Sequence, residues 1–418
     1  MHADAALSPV GVMAIALWGC ELALAFWALR VAQFFVYRMG RIVREPLAPV
    51  DVPVAVILPV KGVDASTQAN IEKLLNQDYP TARFIFAVES VNDPVHAIIE
   101  TLMNQNPSRR ITLVVAGQAT HRSQKVHNQL AAIDQTTSDD RFLAFMDADA
   151  APGPHWLHAL VIPLTYPHIA ATTGYRFYVP EVATNANAML SVMNAIIAGM
   201  LGPHRRTVAW GGSMAISREK FFSLGIYEAW QHALSDDYVL SYQVKKQGGQ
   251  RIHFVPQCMV ASPAQTSWAK LFEFATRQYR ITRRCAARLW FTGVLGAAAY
   301  LLTLASSFYF AVWPDKDFSM AWGAYIPGVV FVFVLVLSML RGWFLLRAGK
   351  LLLPDHAGAL AACAKWFTFL FPAVQAFNLF CLLAAGFGDT ITWRGIRYQM
   401  VNRRETRIVP PLREPRQD

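Results

Sequence analysis

Cysteine is scarce in this chain and never spaced as a pair. Five occur in 418 residues, Cys20, Cys258, Cys285, Cys363 and Cys381, with no CxxC. Most fall in or beside apolar runs, so neither a disulfide framework nor a thiolate zinc site is expected. Charge is scarce too, at 16% of residues against 54% hydrophobic, a balance that does not suit a wholly soluble protein. Internal repeats and low-complexity tracts are lacking, so no repeat array is expected. The N-terminus lacks the basic start and short apolar core of a cleaved signal peptide. Acidic residues are the minority, 28 against 38 Lys and Arg, for a net charge of +10. The arginines crowd the borders of apolar runs: Arg38, Arg41 and Arg44; Arg283, Arg284 and Arg288; Arg394, Arg397, Arg403 and Arg404. That placement favours cytoplasmic flanks and anionic headgroups over nucleic acid.

What is abundant is apolar sequence at the two ends. Residues 9–37 are long enough to cross a bilayer core of about 30 Å, although Glu21 and Arg30 interrupt them. The expected domains are an N-terminal transmembrane helix (1–45), a cytoplasmic domain (50–265), an interfacial amphipathic helix (266–290), C-terminal membrane segments (291–388) and a basic tail (389–418). Two spans are expected near 291–313 and 321–340, joined through PDKD. Residues 351–388 read either as an interfacial helix plus a third span or as a re-entrant segment. The tail prefers the cytoplasm, whereas a third full span would leave it outside.

Between these ends, VAVILPV (54–60), RFIFAVE (83–89), ITLVVA (111–116) and RFLAFMD (141–147) read as strands. IEKLLNQ (71–77), HAIIETLMNQ (96–105) and KVHNQLAAI (125–133) read as helices. This alternation predicts an α/β domain with a doubly wound, mostly parallel sheet. Such sheets bind ligands at the carboxyl ends of their strands.

Three groups of residues carry chemistry. Asp147-Ala148-Asp149 ends a buried strand, and paired carboxylates there suit Mg²⁺ or Mn²⁺, hard cations that take oxygen ligands and bridge phosphates. Asp236-Asp237 opens a predicted helix. Capping accounts for one such acid more easily than two, and Asp237 is the candidate general base with Asp236 orienting it. Arg277-Gln278-Tyr279-Arg280 lies on the interfacial helix; its arginines bind headgroups or stabilise a departing diphosphate.

In this order, and between membrane helices, these signals resemble the processive-type family 2 glycosyltransferases of GT-A fold, and within them the ceramide glucosyltransferase group and its bacterial relatives. That group carries a D, D, D, (Q/R)xxRW signature, and the likeness covers about residues 50 to 290. ILPVKG (57–62) and QDYP (77–80) look like its first strand and the turn before its second. The resemblance implies that Asp147 contacts the nucleotide and Asp149 the metal, that Asp237 is the base, and that Arg277 and Arg280 form the fourth motif. It also places Lys125 and Asn128 near the donor, Gly211 and Gly212 of WGGSMAIS (210–217) between donor and acceptor, and His204 near the acceptor. Two departures stand out. No Asp closes the second strand, so either Glu89 or Asp93 takes the uracil side, with Glu89 favoured because it ends the strand. The fourth motif reads RQYRI, with Ile281 where the family has Trp.

The resemblance thus implies an enzyme of bacterial inner membranes that moves a hexose from a nucleotide-sugar, UDP-linked by expectation, to a lipid hydroxyl such as that of ceramide, with inversion. The rivals are a processive polysaccharide synthase, which needs more spans than this chain supplies, and an inert membrane scaffold.

Overall fold

The structure is a computed structural model and describes residues 7–43, 45, 47, 50–202, 206–314, 317–318 and 325–410. Helix α1 (Pro9–Ile42) starts at Ser8, whose side chain accepts from Gly11 N, with Pro9 in the first turn where its missing N–H costs nothing. Beyond it the chain alternates as the sequence predicts: β1 (Val54–Pro59), α2 (Thr67–Leu75), β2 (Ala82–Val88), α3 (Pro94–Gln105), β3 (Arg110–Val115), α4 (Gln124–Ile133) and β4 (Phe142–Met146). Asp93 and Ser123 cap α3 and α4 through their side chains. Next come α5 (Trp156–Val161), β5 (Ile169–Pro180), α6 (Asn185–Ala198), β6 (Ser213–Ser217), α7 (Arg218–Ser223), α8 (Ile226–Trp230), α9 (Asp236–Lys246) and β7 (Arg251–Ala264).

The strands form one seven-stranded sheet in the order β3-β2-β1-β4-β6-β5-β7. The pairs β3–β2–β1–β4 and β5–β7 are parallel, while β6 runs antiparallel to both its neighbours. The chain winds outward from β1 to β3 on one side and jumps to β4 on the other, which opens a crevice at the carboxyl ends of β1 and β4. Alternate residues of β1, Val54, Val56 and Leu58 against Ala55 and Ile57, enter separate apolar layers on the two faces. That is why its run is continuously apolar.

The amphipathic helix α10 (Trp268–Cys285) leads, after a break at Ala286, into α11 (Ala287–Val312) and α12 (Ile326–Leu352). Among the described residues three helices are long and apolar enough to cross a membrane: α1, α11 and α12. The short helices α13 (Ala357–Ala361), α14 (Ala364–Thr368) and α15 (Phe371–Ala384) fill 351–388. With 14 residues, α15 rises about 21 Å, short of a bilayer core of about 30 Å. A third C-terminal span is therefore absent among the described residues. Ser8 N, at the start of α1, donates to Asp317 beyond α11, at 3.0 Å. At the other end of α1, the carbonyl of Ile42 accepts from Gln257 of β7, at 3.1 Å. The α1 start and the α11–α12 connection thus share the end far from the sheet, and the tail returns to the sheet's side.

The tail is not an open basic strand. It forms a meander, β8 (Thr390–Trp393), β9 (Ile396–Asn402) and β10 (Glu405–Ile408), whose Ile391, Tyr398 and Met400 pack against Leu234, Ile281 and Cys285. Strand β5 joins the sheet to the helices. Its Phe177 and Val179 enter the same core as α1, α6, α11 and α12, and a Cβ on Gly349 of α12 would lie 2.7 Å from the Phe177 ring.

Candidate active site

The crevice holds an alternating chain of charges. Lys125, at the start of α4, lies 2.7 Å from Asp147 and 3.0 Å from Asp236. Arg176, on β5, reaches Asp149 at 3.0 Å and Asp147 at 3.4 Å. Both cations are largely buried, with side-chain exposures of 14% and 13%, whereas Asp149 is 44% exposed. Asp149 therefore offers the open edge of the cluster.

The acids divide by environment. Burial raises the Asp149 carboxyl, but the Arg176 guanidinium outweighs it and holds the group below the usual range. Asp147 is raised, by burial first and by the neighbouring Asp149 charge, with Lys125 opposing. Burial alone would lower the Lys125 ammonium, but Asp147, Asp236 and Asp237 together raise it. Asp237 is pushed up to about 6, by burial first and then by Asp236.

Helix α9 explains how two adjacent acids part company. Ser235 is its cap, accepting from Tyr238 N at 3.2 Å. Capping is thus not what buries Asp236, which is 3% exposed and accepts from Gln129 at 2.8 Å. Asp237 has its own set of donors, accepting from Gly211 N at 3.1 Å, Tyr238 N at 2.7 Å and the Ser235 hydroxyl. Among the described residues no Lys, Arg or His lies within ion-pair distance of Asp237. A Cβ on Gly211 would sit 2.4 Å from Asp236, and one on Gly212 would sit 2.1 Å from the Trp210 ring. Both glycines are required by close approach.

The remaining expected residues take distinct places. Asn128 is 1% exposed and donates to the carbonyls of Val60 and Ala87, at 3.3 and 3.1 Å, tying the ends of β1 and β2. Glu89 pairs with Lys61. Asp93 accepts from Val95 N and Gly62 N, so it caps α3 and fixes the turn after β1. Both acids thus act on the crevice rim through Lys61 and Gly62. Arg277 stacks on Phe274, 5.6 Å from the ring centre; burial first lowers its proton affinity, against the charge of Glu273. Arg280 instead donates to the carbonyl of Thr390, at 2.8 Å, and so holds the tail. Ile281 is 9% exposed in the core between α10 and the tail; the side chain at this position packs rather than facing the crevice. His204 lies outside the described residues.

Sequence reasoning missed Arg176, Trp210 and the tail residues Trp393, Arg394 and Tyr398. The first had a signal: a lone arginine inside the apolar run IAATTGYRFYVP. Its guanidinium also lies 4.5 Å from the centre of the Trp210 ring. The tail residues line the crevice beside Lys61, Lys125, Asp147 and Asp149, and had no local signal.

The model of the family described as "Glycosyl transferase family 21" matches residues 14–406. The chain belongs to that family. It is therefore a glycosyltransferase, and the ceramide glucosyltransferase-like side of the expected resemblance is where the match falls. Its mostly parallel sheet between apolar helices is the α/β architecture expected. Ceramide glucosyltransferase of Komagataella phaffii is 34% identical over 62 residues, which cover 15% of this chain and only 12% of that protein. Among solved structures, mannosyltransferase PcManGT from Pyrobaculum calidifontis, in complex with GDP-Man and Mn²⁺, aligns over 88% of this chain and 97% of its own, at 17% identity and TM-score 0.44. Glucosyl-3-phosphoglycerate synthase from Mycobacterium tuberculosis, in complex with Mn²⁺, UDP and phosphoglyceric acid, aligns over 56% of this chain and 79% of its own, at 16% identity and TM-score 0.34. The family 21 match takes in every acid and cation of the crevice described above, from Lys61 to Arg394.

Proposed function

We propose that the protein is an inverting hexosyltransferase that moves one sugar from a UDP-sugar to the hydroxyl of a membrane lipid such as ceramide, at the cytoplasmic face of a bacterial inner membrane. The observation that carries this reading is the division among the crevice carboxylates. Asp147, Asp149 and Asp236 are each paired with Lys125 or Arg176, while Asp237 keeps hydrogen-bond donors only and a raised proton affinity. Paired charges suit binding of a polyanion. An unpaired, half-buried carboxylate suits proton abstraction.

In this reading the nucleotide lies over the ends of β1 and β2, where Lys61, Gly62 and Asn128 form the rim, with Glu89 orienting Lys61 and Asp93 fixing Gly62. The diphosphate meets Asp147 and Asp149. These hard oxygen donors, with the open edge of Asp149, fit Mg²⁺ or Mn²⁺, which needs only one or two protein carboxylates when phosphates complete its shell. Bound there, the ion would neutralise charge on the diphosphate. Asp237 takes the proton of the acceptor hydroxyl as oxygen attacks the anomeric carbon and the bond to the diphosphate breaks. Lys125 holds Asp236 and Asp147 in place across the step. Arg277, stacked on Phe274, supplies positive charge toward the leaving group.

The lipid reading rests on β5. Arg176 holds Asp149 and the Tyr178 hydroxyl, and the rings of Phe177 and Tyr178 both enter the membrane-helix core. Tyr178 also meets Phe274 of α10 edge-on, with ring centres 5.9 Å apart. An acceptor whose tails lie among α10, α6 and α15 would present its head to Asp237. Mass spectrometry of membrane lipids from cells with and without the protein is expected to show one lipid class gaining a single hexose, and radiolabelled UDP-sugar should label it only when Mg²⁺ or Mn²⁺ is present. A labelled polymer would replace this reading with a processive synthase, and no labelled product would favour an inert scaffold.

A further inference from the structure

The tail closes the crevice in a way the family motifs do not describe. The β8–β9 turn is Trp393-Arg394-Gly395-Ile396, with positive φ at both central residues, 48° at Arg394 and 78° at Gly395. That is the backbone of a tight type I′ hairpin turn, and an arginine bears its first left-handed position at a cost. Among the described residues Arg394 is the only non-glycine with positive φ. The turn brings Arg394 to the crevice lining, where its guanidinium grips Asp64 through two contacts, at 2.6 and 3.2 Å. Both side chains are about half exposed, 48% and 51%, so the pair can open without leaving a buried charge. The cavity under the turn has a volume of about 130 Å³, well below the roughly 300–1,000 Å³ of small-ligand pockets. A nucleotide-sugar needs more room than the cavity beside the turn gives. The rest of the tail stays anchored, through Arg280 to Thr390 and through the Tyr398 hydroxyl, which accepts from Gln124 N at 3.2 Å.

Resting on the donor assignment above, we propose that Arg394 is a donor-binding residue held in reserve: when the UDP-sugar enters, its guanidinium leaves Asp64 and binds the diphosphate, and the turn closes over the nucleotide. A planar fork that already holds one carboxylate by two bonds matches phosphate oxygens equally well. Asp64 is then a competitor of the donor, not a support for it.

The competition gives variants of opposite sign. In full-length protein in detergent, UDP is titrated with Mn²⁺ present while tryptophan fluorescence is followed, and donor KM is measured in parallel. Arg394→Ala should weaken UDP binding and raise donor KM by about tenfold to a hundredfold, the range of charge-assisted hydrogen bonds. Asp64→Asn should do the reverse, by about twofold to fivefold, the worth of an exposed ion pair. Arg394→Lys should fall between wild type and Arg394→Ala. If the pair were only a structural latch, both neutralising variants would lower the melting temperature and shift KM in the same direction, which overturns the proposal. Unchanged affinity in Arg394→Ala also overturns it, with the donor assignment intact. A wild-type protein that binds no UDP would overturn both.

Discussion

The two flanks of the crevice are built on different plans. The flank proposed for the donor, β1 to β4 with the helices between them, comes from one continuous stretch in which β1, β2 and β3 pair in sequence order and β4 returns beside β1. Its carboxylates Asp147 and Asp149 are paired with Lys125 and Arg176. The flank proposed for the acceptor is assembled from distant pieces: β5, the antiparallel β6, the start of α9, and α10 leaning on the membrane helices. There Asp237 has no ion-pair partner among the described residues, and its proton affinity is raised. One flank spends burial on neutralising charge, and the other on keeping a carboxylate basic. Lys125 sits between them, touching Asp147 of the first and Asp236 of the second.

The comparison predicts separable losses. Asp237→Asn keeps the shape and the backbone donors but removes the base, so transfer should fall by about 10²–10⁴-fold while UDP affinity stays near wild type. Asp149→Asn should remove the Mn²⁺-dependent part of UDP binding and lower turnover through it. Calorimetric titration of UDP with and without Mn²⁺, beside initial rates, reads both. If Asp237→Asn lost UDP binding as well, the two flanks would be one site and the division would fail.

Legibility in the sequence followed the same boundary. The donor flank was readable because each of its strands is a short apolar run ended by polar residues, and each helix carries its own start signal, such as Ser123 before α4. Asp147 and Asp149 stood out because they close such a run. Helix α9 was found through Asp236-Asp237, but the cap proved to be Ser235, one residue earlier. On the acceptor flank β5 and β7, 12 and 14 residues long, show no such clean alternation, and α6 is apolar nearly all round because it is buried between sheet and membrane helices. Arg176 gained its meaning only from carboxylates 27 and 29 positions away. The tail read as a basic segment because its apolar residues, Ile391, Tyr398 and Met400, are few and alternate with charge. Its partner surface on α10 had instead been read for headgroup or diphosphate contacts, and Arg280 in fact serves the tail.

The pH profile tests the acceptor flank with a smaller effect. A base acts when deprotonated, so kcat/KM should fall as pH drops through about 6, the value to which burial and Asp236 push Asp237. Well below that point the decline should approach tenfold per pH unit. Lys125 opposes the rise, so Lys125→Met should move the limb to higher pH, whatever it does to the plateau. A limb that stays in place in Lys125→Met would show that Asp237 does not set it.

The smallest effect concerns the core that fixes the tail to the crevice. Ile281 packs with Leu234, Cys285, Ile391, Tyr398 and Met400, where the family's tryptophan would need more room. Ile281→Val removes one methylene and should cost about 0.5–1.5 kcal/mol. The meander and α10 share a small core of their own, so with local opening the cost should appear as roughly twofold to tenfold faster amide exchange in β9 and β10. Exchange in β1 and β2 should not change, since those strands share no core with Ile281. Acceleration on both sides would mean that tail and donor flank unfold as one unit, and the turn carrying Arg394 would then be too stiffly coupled to the sheet to move by itself.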